Sequence, residues 1–511
     1  MLFLQVLTDN ILTPIKAIKR SYLPLLMIYF AYGASTFSGI AESFYVKEHL
    51  NIDAAALLMI SVWVGLPWTI KMVFGQFADS IPIFGNARKS YVYIAAFFMI
   101  LQSLLMAGIA GDWDGVLWLA SKESIYLVAS VIGIIGLVLQ DVVADAMSVE
   151  VVKREGRNEQ EINAELAMVQ LLGRLFLMGA IFLVAGLGGW LAERYSYETI
   201  FLLTLIIPFI SIIGVSLVNL QTKIFKPINP LILYGGLTFM AWVIIMGFSH
   251  LPYSQEVIFV VSLAVIVFLL SKVTKDVERD TLRAIVCAAI VIFVFRSTPG
   301  IGPGAQWWQI DVLGFDKNFF GTLNQIGSGL AIIGMWFAAK WLTEKPIGQI
   351  LMVLTIVSTV LSLPLLGMYY GLHEWTQQHL GFGARTIALV DTALASPFAQ
   401  LSMVPMLALI AIHAPKGNVA TWFALMASFM NLALTAGTLV SKFLNNIWVV
   451  TREVKDTSGN IIAAADYSEL GNLLWFTTIW GFILPVTVIF FFLRKDFKRG
   501  SLESCKNSSL R

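Results

Sequence analysis

Apolar runs of about 18 to 25 residues recur from end to end of the chain, set apart by short polar links, and each is long enough to cross a hydrocarbon core of about 30 Å. Windows of about 19 residues place spans near 22–46, 54–77, 91–111, 123–150, 163–190 and 199–219. After the polar link QTKIFKPIN come spans near 228–249 and 255–272, then SKVTKDVERDTLR. Six more follow near 282–309, 317–342, 347–370, 383–413, 418–446 and 469–493. The pattern predicts an all-α polytopic membrane protein of about fourteen helices, grouped six, two and six. Between the last two spans, TREVKDTSGNIIAAADYSEL has a Ser-Gly-Asn turn between strand-like runs and predicts a small hairpin.

Composition agrees. Of 511 residues, 58% are hydrophobic and 13% charged, with a mean hydropathy of +0.79, far from the balance of a water-soluble domain. A net charge of +2 gives no electrostatic case for nucleic acid. The two cysteines, Cys287 in an apolar span and Cys505 in the tail, predict no disulfide. Five scattered histidines lack ligand spacing, so no metal site and no cofactor is expected. Without a metal cluster or a nucleophile-base constellation, an enzyme is not the expectation.

The basic residues set orientation. With the N-terminus inside, the cytoplasmic links hold about three times as many Lys and Arg as the opposite ones, so both termini are expected in the cytoplasm. The expected organisation is an N-terminal cytoplasmic amphipathic segment (1–21), a first six-helix half (22–220), and a link with two extra helices (221–281). A second six-helix half (282–494) and a cytoplasmic tail (495–511) complete it. The extra pair carries almost no charge in its spans and is expected outside the core, facing lipid.

Internal repetition distinguishes a transporter from a scaffold, since weak symmetry between two helix groups marks a substrate path between them. ESFYVKEHLNIDAAALLMISV from Glu42 aligns with AQWWQIDVLGFDKNFFGTLNQ from Ala305, bringing Asp53 onto Asp316 and, at the same offset of about 263 residues, Gly33 onto Arg296. VQLLGRLFLMGAIF from Val169 likewise lies over MASFMNLALTAGTL from Met426, pairing Arg174 with Asn431.

Several stretches carry a family likeness. Gly75-x-x-x-Asp79 followed by IPIFGNARKSY resembles the loop between the second and third helices of the major facilitator superfamily, in the longer form of the folate-biopterin transporter family. QDVVADAMSVEVV, the LGF-D-x-x-FFGTL run from Leu313, and HAPKGNVATWFALMASFMNL from His413 resemble the same family, and together they cover most of both halves. A more distant similarity is to muropeptide permeases. The resemblance implies a major facilitator fold, proton-coupled solute transport, and a central cavity lined by the first, fourth, seventh and tenth core helices. It also implies that Gly75, Asp79, Arg88 and Lys89 form a conformational lock, with uptake as the direction. The second half departs from the pattern: AAKWLTEKPIG lacks the Asp and the paired basic residues.

An ionisable side chain at bilayer depth costs about 2.5 to 3.5 kcal/mol on insertion scales, so each needs a reason. In LVLQDVVADAMSVEVV, Asp141 and Asp145 lie about 40° apart on one helix face, whereas Glu150 lies about 180° from Asp141. The acids therefore form two sites. Asp141 and Asp145 are candidates for proton coupling, because two carboxylates on one face repel when both ionise, or for a structural ion pair with Arg174. Glu150 either joins the lock or is solvated beside Lys153 and Arg154.

Arg296 precedes STPGIGPG, where prolines and glycines break the helix. It is a candidate to hold a substrate carboxylate through two parallel hydrogen bonds, or a partner of Asp391, which is itself a candidate for proton coupling or ion pairing. Glu42, Lys71, Trp307 and Trp308 complete the substrate-binding candidates, with an aromatic belt at the membrane interface as the other explanation of the tryptophans. The expectation is an importer of a polar, partly anionic molecule, folate- or pterin-like, with protons as the coupling ion and a bacterial inner membrane as its place. A carboxylate siderophore or muropeptide as cargo, or a non-transporting receptor or scaffold, stays open.

Overall fold

The computed structural model describes residues 16–493 apart from 84, 87, 153–155, 218–229, 249–250, 252, 276, 399–400, 402, 413–418 and 456–460. Most of the N-terminal amphipathic segment, the tail, Lys153, Arg154 and the start of the run at His413 thus lie outside the described residues.

The chain is helical almost throughout. The helices are α1 (Arg20–His49), α2 (Ala54–Ser80), α3 (Lys89–Ala110), α4 (Lys122–Glu150), α5 (Glu159–Arg194), α6 (Tyr197–Ser216), α7 (Pro230–Phe248) and α8 (Ser254–Val273). They continue with α9 (Arg279–Arg296), α10 (Gly304–Asp311), α11 (Lys317–Glu344), α12 (Ile347–Tyr369), α13 (Ala384–Ala395), α14 (Met403–Ile412), α15 (Val419–Ile447) and α16 (Leu470–Phe492). Among the described residues, ten are long and apolar enough to cross a membrane: α1 to α6, α8, α12, α15 and α16. The other four expected spans are also helical. Within the span at 228–249, Pro230–Phe248 forms α7, with an apolar stretch at Tyr234–Gly247, and 317–342 lie in α11. The span at 282–309 is broken into α9 and α10, and that at 383–413 into α13, a 3-10 turn at Ser396–Phe398, and α14.

Local chemistry sets several boundaries. Ser121 accepts the backbone N–H of Ser124 at 3.3 Å to start α4, and Asn158 accepts that of Glu161 at 2.8 Å to start α5. In the 297–303 break, Pro299 and Pro303 offer no N–H to continue a helix. The repeat is visible in the helices: α2 begins at Ala54 and α11 at Lys317, 263 residues later, and the 3-10 turn Ser35–Ser38 inside α1 maps onto the break between α9 and α10. Before the last helix, β1 (Val454–Lys455) pairs antiparallel with β2 (Ile461–Ala463), Val454 opposite Ala463, as the hairpin reading expects.

Two compact units are distinguished. One comprises Met1–Val46, Ile70–Ala241 and Lys317–Gln325, the other Lys47–Thr69, Trp242–Asp316 and Ile326–Arg511. They cut across the two six-helix groups, because the first part of α2 packs on α15 and the start of α11 packs on α5.

In the first unit, small residues let backbones approach, as is usual where membrane helices meet without a hydrophobic driving force. A Cβ on Gly33 of α1 would lie 2.1 Å from the carbonyl oxygen of Leu177 on α5. The position equivalent to Arg296 in the repeat is thus filled by a neighbouring backbone. Gly189 of α5 faces Gly321 of α11 so closely that a Cβ on Gly189 would come within 2.6 Å of the Gly321 Cα. Ala31, Ala34, Phe37, Ala180 and Ile200 form the core around these contacts.

In the second unit, Trp422, Leu432, Met426 and Ile489 are buried with Val291 and Ile292 of α9. Helix α8 buries one stripe, Gln255, Ile258, Ser262 and Ile266, and exposes Val260, Val267 and Phe268. Its first turn is tied down: Gln255 donates to the carbonyl of Met59 at 2.9 Å, and Lys442 of α15 pairs with Glu256.

Candidate functional site

The acids of α4 divide as their helical angles predict. Helix α2 leaves helical geometry at Ile70 (φ −105°, ψ 17°), three residues after Pro67, and Lys71 opens its second segment. From there the Lys71 ammonium donates to Asp141 at 2.5 Å and to Asp145 at 2.6 Å. Tyr29 of α1 donates to the other oxygen of Asp145 at 2.9 Å. Ser148, one turn on, donates to the Asp145 carbonyl and accepts from Gln170 of α5 at 2.6 Å. Asp141 is largely buried, with 13% of its side chain exposed, whereas Asp145 is 47% exposed.

The structure therefore brings together Lys71, Asp141 and Asp145. Arg174, the partner considered from sequence, is exposed and forms no ion pair among the described residues. Periodicity showed that the two aspartates share a face; it held no information about which neighbouring helix supplies their cation. Tyr29 was not singled out at all.

At the far end of α4, Arg88 gathers the second set. Its Nη2 donates to Asp79 at 2.9 Å and to Glu150 at 2.5 Å, its Nε reaches both oxygens of Glu150 at 3.1 and 3.2 Å, and Nη1 donates to the carbonyl of Ala78 at 2.8 Å. The sequence left Glu150 open between this cluster and solvent; its carboxylate lies on Arg88. Burial disfavours the guanidinium charge, but the hydrogen bonds and charges of Glu150 and Asp79 outweigh it and hold the Arg88 pKa above its ordinary value. Lys89 caps the loop through its backbone N–H on Asn86 at 2.9 Å and makes no side-chain ion pair among the described residues. Gly75 faces α4 loosely: an added Cβ would meet Val142 at an ordinary 3.9 Å.

Other candidates lie elsewhere. Arg296 ends α9; its Nη1 is 3.4 Å from the sulfur of Met403, and its Nε is buried without a hydrogen-bond partner. Asp391 of α13 likewise has a buried, unpartnered Oδ1, and no ion pair joins the two. Trp307 and Trp308 are buried, Trp308 against Tyr369 at 5.8 Å between ring centres and Trp307 beneath Arg452 at 5.5 Å. Glu42 accepts from Tyr126 at 3.0 Å and lines a cavity of about 40 Å³, room for about one water at liquid density.

The architecture compares well with solved transporters. A peptide-transporter (POT) family member in complex with 5-aminolevulinic acid superposes with a TM-score of 0.65 at 15% identity, covering 93% of this chain and 96% of that one. The E. coli xylose transporter XylE in an inward-open conformation gives 0.54 at 13% identity over 92% and 94%. These likenesses establish the class: a polytopic membrane protein with the major facilitator fold. Residues 33–500 match the BT1 family, and the chain belongs to that family. Among curated relatives, a folate-biopterin transporter of Synechocystis sp. is 25% identical over 450 residues, covering 88% of this chain and 79% of that protein. Probable folate-biopterin transporter 4 of Arabidopsis thaliana is 24% identical over 457 residues, covering 82% and 87%. The chain is a membrane transporter and not an enzyme.

Proposed function

We propose that the chain is a secondary active transporter that takes up a polar, partly anionic small molecule, folate- or pterin-like, in symport with protons. In this reading the halves at 22–220 and 282–494 alternate access to a central site, with both termini in the cytoplasm of a bacterium and the protein in its inner membrane. The extra pair within 221–281 stands outside that cycle's binding site.

The observation that carries the reading is Lys71 held between Asp141 and Asp145. A half-exposed carboxylate facing hydrocarbon is untenable, so the opening beside Asp145 is aqueous in this reading. Two carboxylates share one lysine, leaving an excess negative charge. A proton arriving from water on this pair of carboxylates removes that excess and weakens the grip of α4 on Lys71 of α2, which couples protonation to the packing of those two helices. The named functions of the Synechocystis and Arabidopsis relatives support the cargo class. Arg296, with an unpartnered nitrogen beside a helix break, is the group proposed to receive a substrate carboxylate.

The test is uptake into proteoliposomes of a panel of folates, pterins, carboxylate siderophores and muropeptides, with and without an imposed proton gradient. Gradient-dependent accumulation of a folate or pterin is expected. Accumulation of a siderophore or muropeptide instead reassigns the cargo, uptake indifferent to the gradient removes the proton, and no uptake of any compound defeats the reading.

A further inference from the structure

Within the second unit, two adjoining cavities of about 540 and 290 Å³ lie among the 297–303 break, α12, α13 and α16. They share Pro299, Ser358, Ser362 and Thr477, and the smaller is also lined by Asp391. Polar side chains in an otherwise apolar membrane bundle call for a reason, and here their hydrogen-bond directions supply one. Thr355 donates its proton to the carbonyl of Leu351 at 2.8 Å, Thr359 to Thr355 at 2.9 Å, Ser362 to Thr359 at 2.7 Å, and Thr477 to Leu473 at 2.8 Å. A hydroxyl whose proton is given to its own helix offers only lone pairs to the space beside it; one of those on Ser362 is shared with the Thr478 hydroxyl at 3.2 Å. The break adds to this: Thr298, Pro299, Gly300 and Ile301 line the cavities, Pro299 has no N–H, and the Gly300 N–H is given to Ser441 at 2.8 Å. The walls are therefore rich in acceptors, and the one charge among them is the Asp391 carboxylate, which has a buried oxygen without a partner.

Such a carboxylate is costly unless a cation or a proton accompanies it. No cation is paired with it among the described residues. Helices α12 and α16 and residues 318–334 of α11 contain no Asp, Glu, Lys, Arg or His. The short helix Leu372–Leu380, which packs on α13, carries Glu374 with His373 and His379, whose Nδ1 atoms lie 2.9 Å from the carbonyls of Met368 and Trp375. On α13 itself Arg385 is committed to Asp316 at 2.7 Å, and Arg296 of α9 is turned to Met403. The charge count also selects the ligand. A single carboxylate with neutral oxygens balances one positive charge, whereas divalent ions are held by several acidic ligands, and no group of three His, Cys, Asp or Glu occurs among the described residues.

We propose that Asp391, with the hydroxyl oxygens of α12 and α16 and the carbonyls of the 297–303 break, forms a binding site for a small monovalent cation, sodium or a proton. It is separate from the Lys71 cluster and independent of which cargo is carried.

The test reads the protein itself. Purified protein in lipid nanodiscs is titrated with radioactive sodium, and its thermal unfolding is followed in sodium against choline chloride from mildly acidic to mildly alkaline buffer. If sodium is the ligand, it binds and stabilises the wild type, and Asp391→Asn abolishes both effects. If a proton is the ligand, sodium has no effect and Asp391→Asn flattens the pH dependence of unfolding. Identical sodium binding and identical pH profiles for wild type and Asp391→Asn overturn the proposal. Should that variant not fold, Ser362→Ala with Thr477→Val removes neutral oxygens alone and should weaken sodium binding about tenfold or displace the pH profile; no change in either overturns the site. Because no cargo is used, either result leaves the transporter reading standing.

Discussion

The ammonium of Lys47, at the end of α1, lies 2.5 Å from a carboxylate oxygen of Asp311, at the end of α10, while Tyr467 donates to the other oxygen at 2.5 Å. The pair joins the ends of helices that occupy corresponding places in the two repeats, on the outer side in the proposed orientation. Burial together with the hydrogen bond to Asp311 pushes the Tyr467 hydroxyl well above its ordinary pKa, so it stays a donor. Any opening of the outer mouth that parts these helices must break the pair. Lys47→Gln or Asp311→Asn should shift the conformational balance toward outer opening by about 1 to 3 kcal/mol, the usual size of such couplings. Labelling of cysteines placed beside Lys47 should speed up accordingly, and Lys47→Asp with Asp311→Lys should slow it again. Equal labelling rates in all four proteins would show that the pair is not a latch.

Removing Lys71 leaves two carboxylates facing one another without their cation. Breaking a buried pair in this way costs about 3 to 5 kcal/mol, so Lys71→Met should lower thermal stability strongly and abolish uptake. Asp141→Asn in the same protein should recover most of the stability. If Lys71→Met is as stable as the wild type, the lysine is not what holds α2 to α4.

Arg88 and Glu150 touch no proposed cargo position, so their variants should separate binding from turnover. Glu150→Gln and Asp79→Asn are expected to lower the maximal uptake rate while leaving cargo affinity within about twofold, the pattern of a group that acts between states. A double-mutant cycle for Arg88 and Glu150 should give a coupling of about 1 to 3 kcal/mol. A change confined to affinity would place the cluster in the binding path instead.

Glu165 provides the pH prediction. Hydrogen bonds from Lys19 and Tyr22, then Arg157, hold its carboxyl down at about 2, against an ordinary value of 4.5. A carboxyl with a lowered pKa stabilises the fold fully above the ordinary value and loses that contribution as the pH falls toward the folded one. Glu165→Gln should thus be less stable than the wild type near neutrality. The gap should close between pH 4.5 and about 2, as thermal unfolding across that range would reveal. A gap that persists unchanged at the acid end would locate the defect in packing.

Lys442 holds the first turn of α8 to α15 through Glu256, at 13% and 22% side-chain exposure. Lys442→Gln leaves a carboxylate that already has one buried, unpartnered oxygen, and about 3 to 5 kcal/mol of destabilisation is expected. Glu256→Gln added to it should restore much of the loss. Faster hydrogen exchange confined to α8 would show that only its anchorage is affected; exchange unchanged in α8 would refute the anchor.

The helices were legible because hydropathy and length report directly on a bilayer, and the break at 297–303 was legible because two prolines and two glycines cannot sustain a helix. The break within 383–413 was not: Pro397 sits in a run otherwise apolar enough to read as one span. Partner choice was the harder problem. A helical angle fixes which residues of α4 share a face, yet only the packing of α2 shows that Lys71 and not Arg174 meets them. The same limit applies to Arg296 and Asp391, whose opposite charges suggested a pair but which end α9 and sit on α13 without touching. The units differ from the six-helix halves expected from the sequence for a related reason, since connectivity is read along the chain while the first part of α2 packs on α15 and the start of α11 on α5.

The meeting of Gly189 with Gly321 has a mechanical meaning. Where helices interlock through large side chains, parting them means re-sorting many rotamers, and re-closing them means finding the original set again. Two facing glycines offer bare main chain to bare main chain, with nothing to thread or unthread. In the proposed alternating cycle such a seam is a bearing surface, at which α11 leaves α5 and returns without re-sorting side chains at that contact.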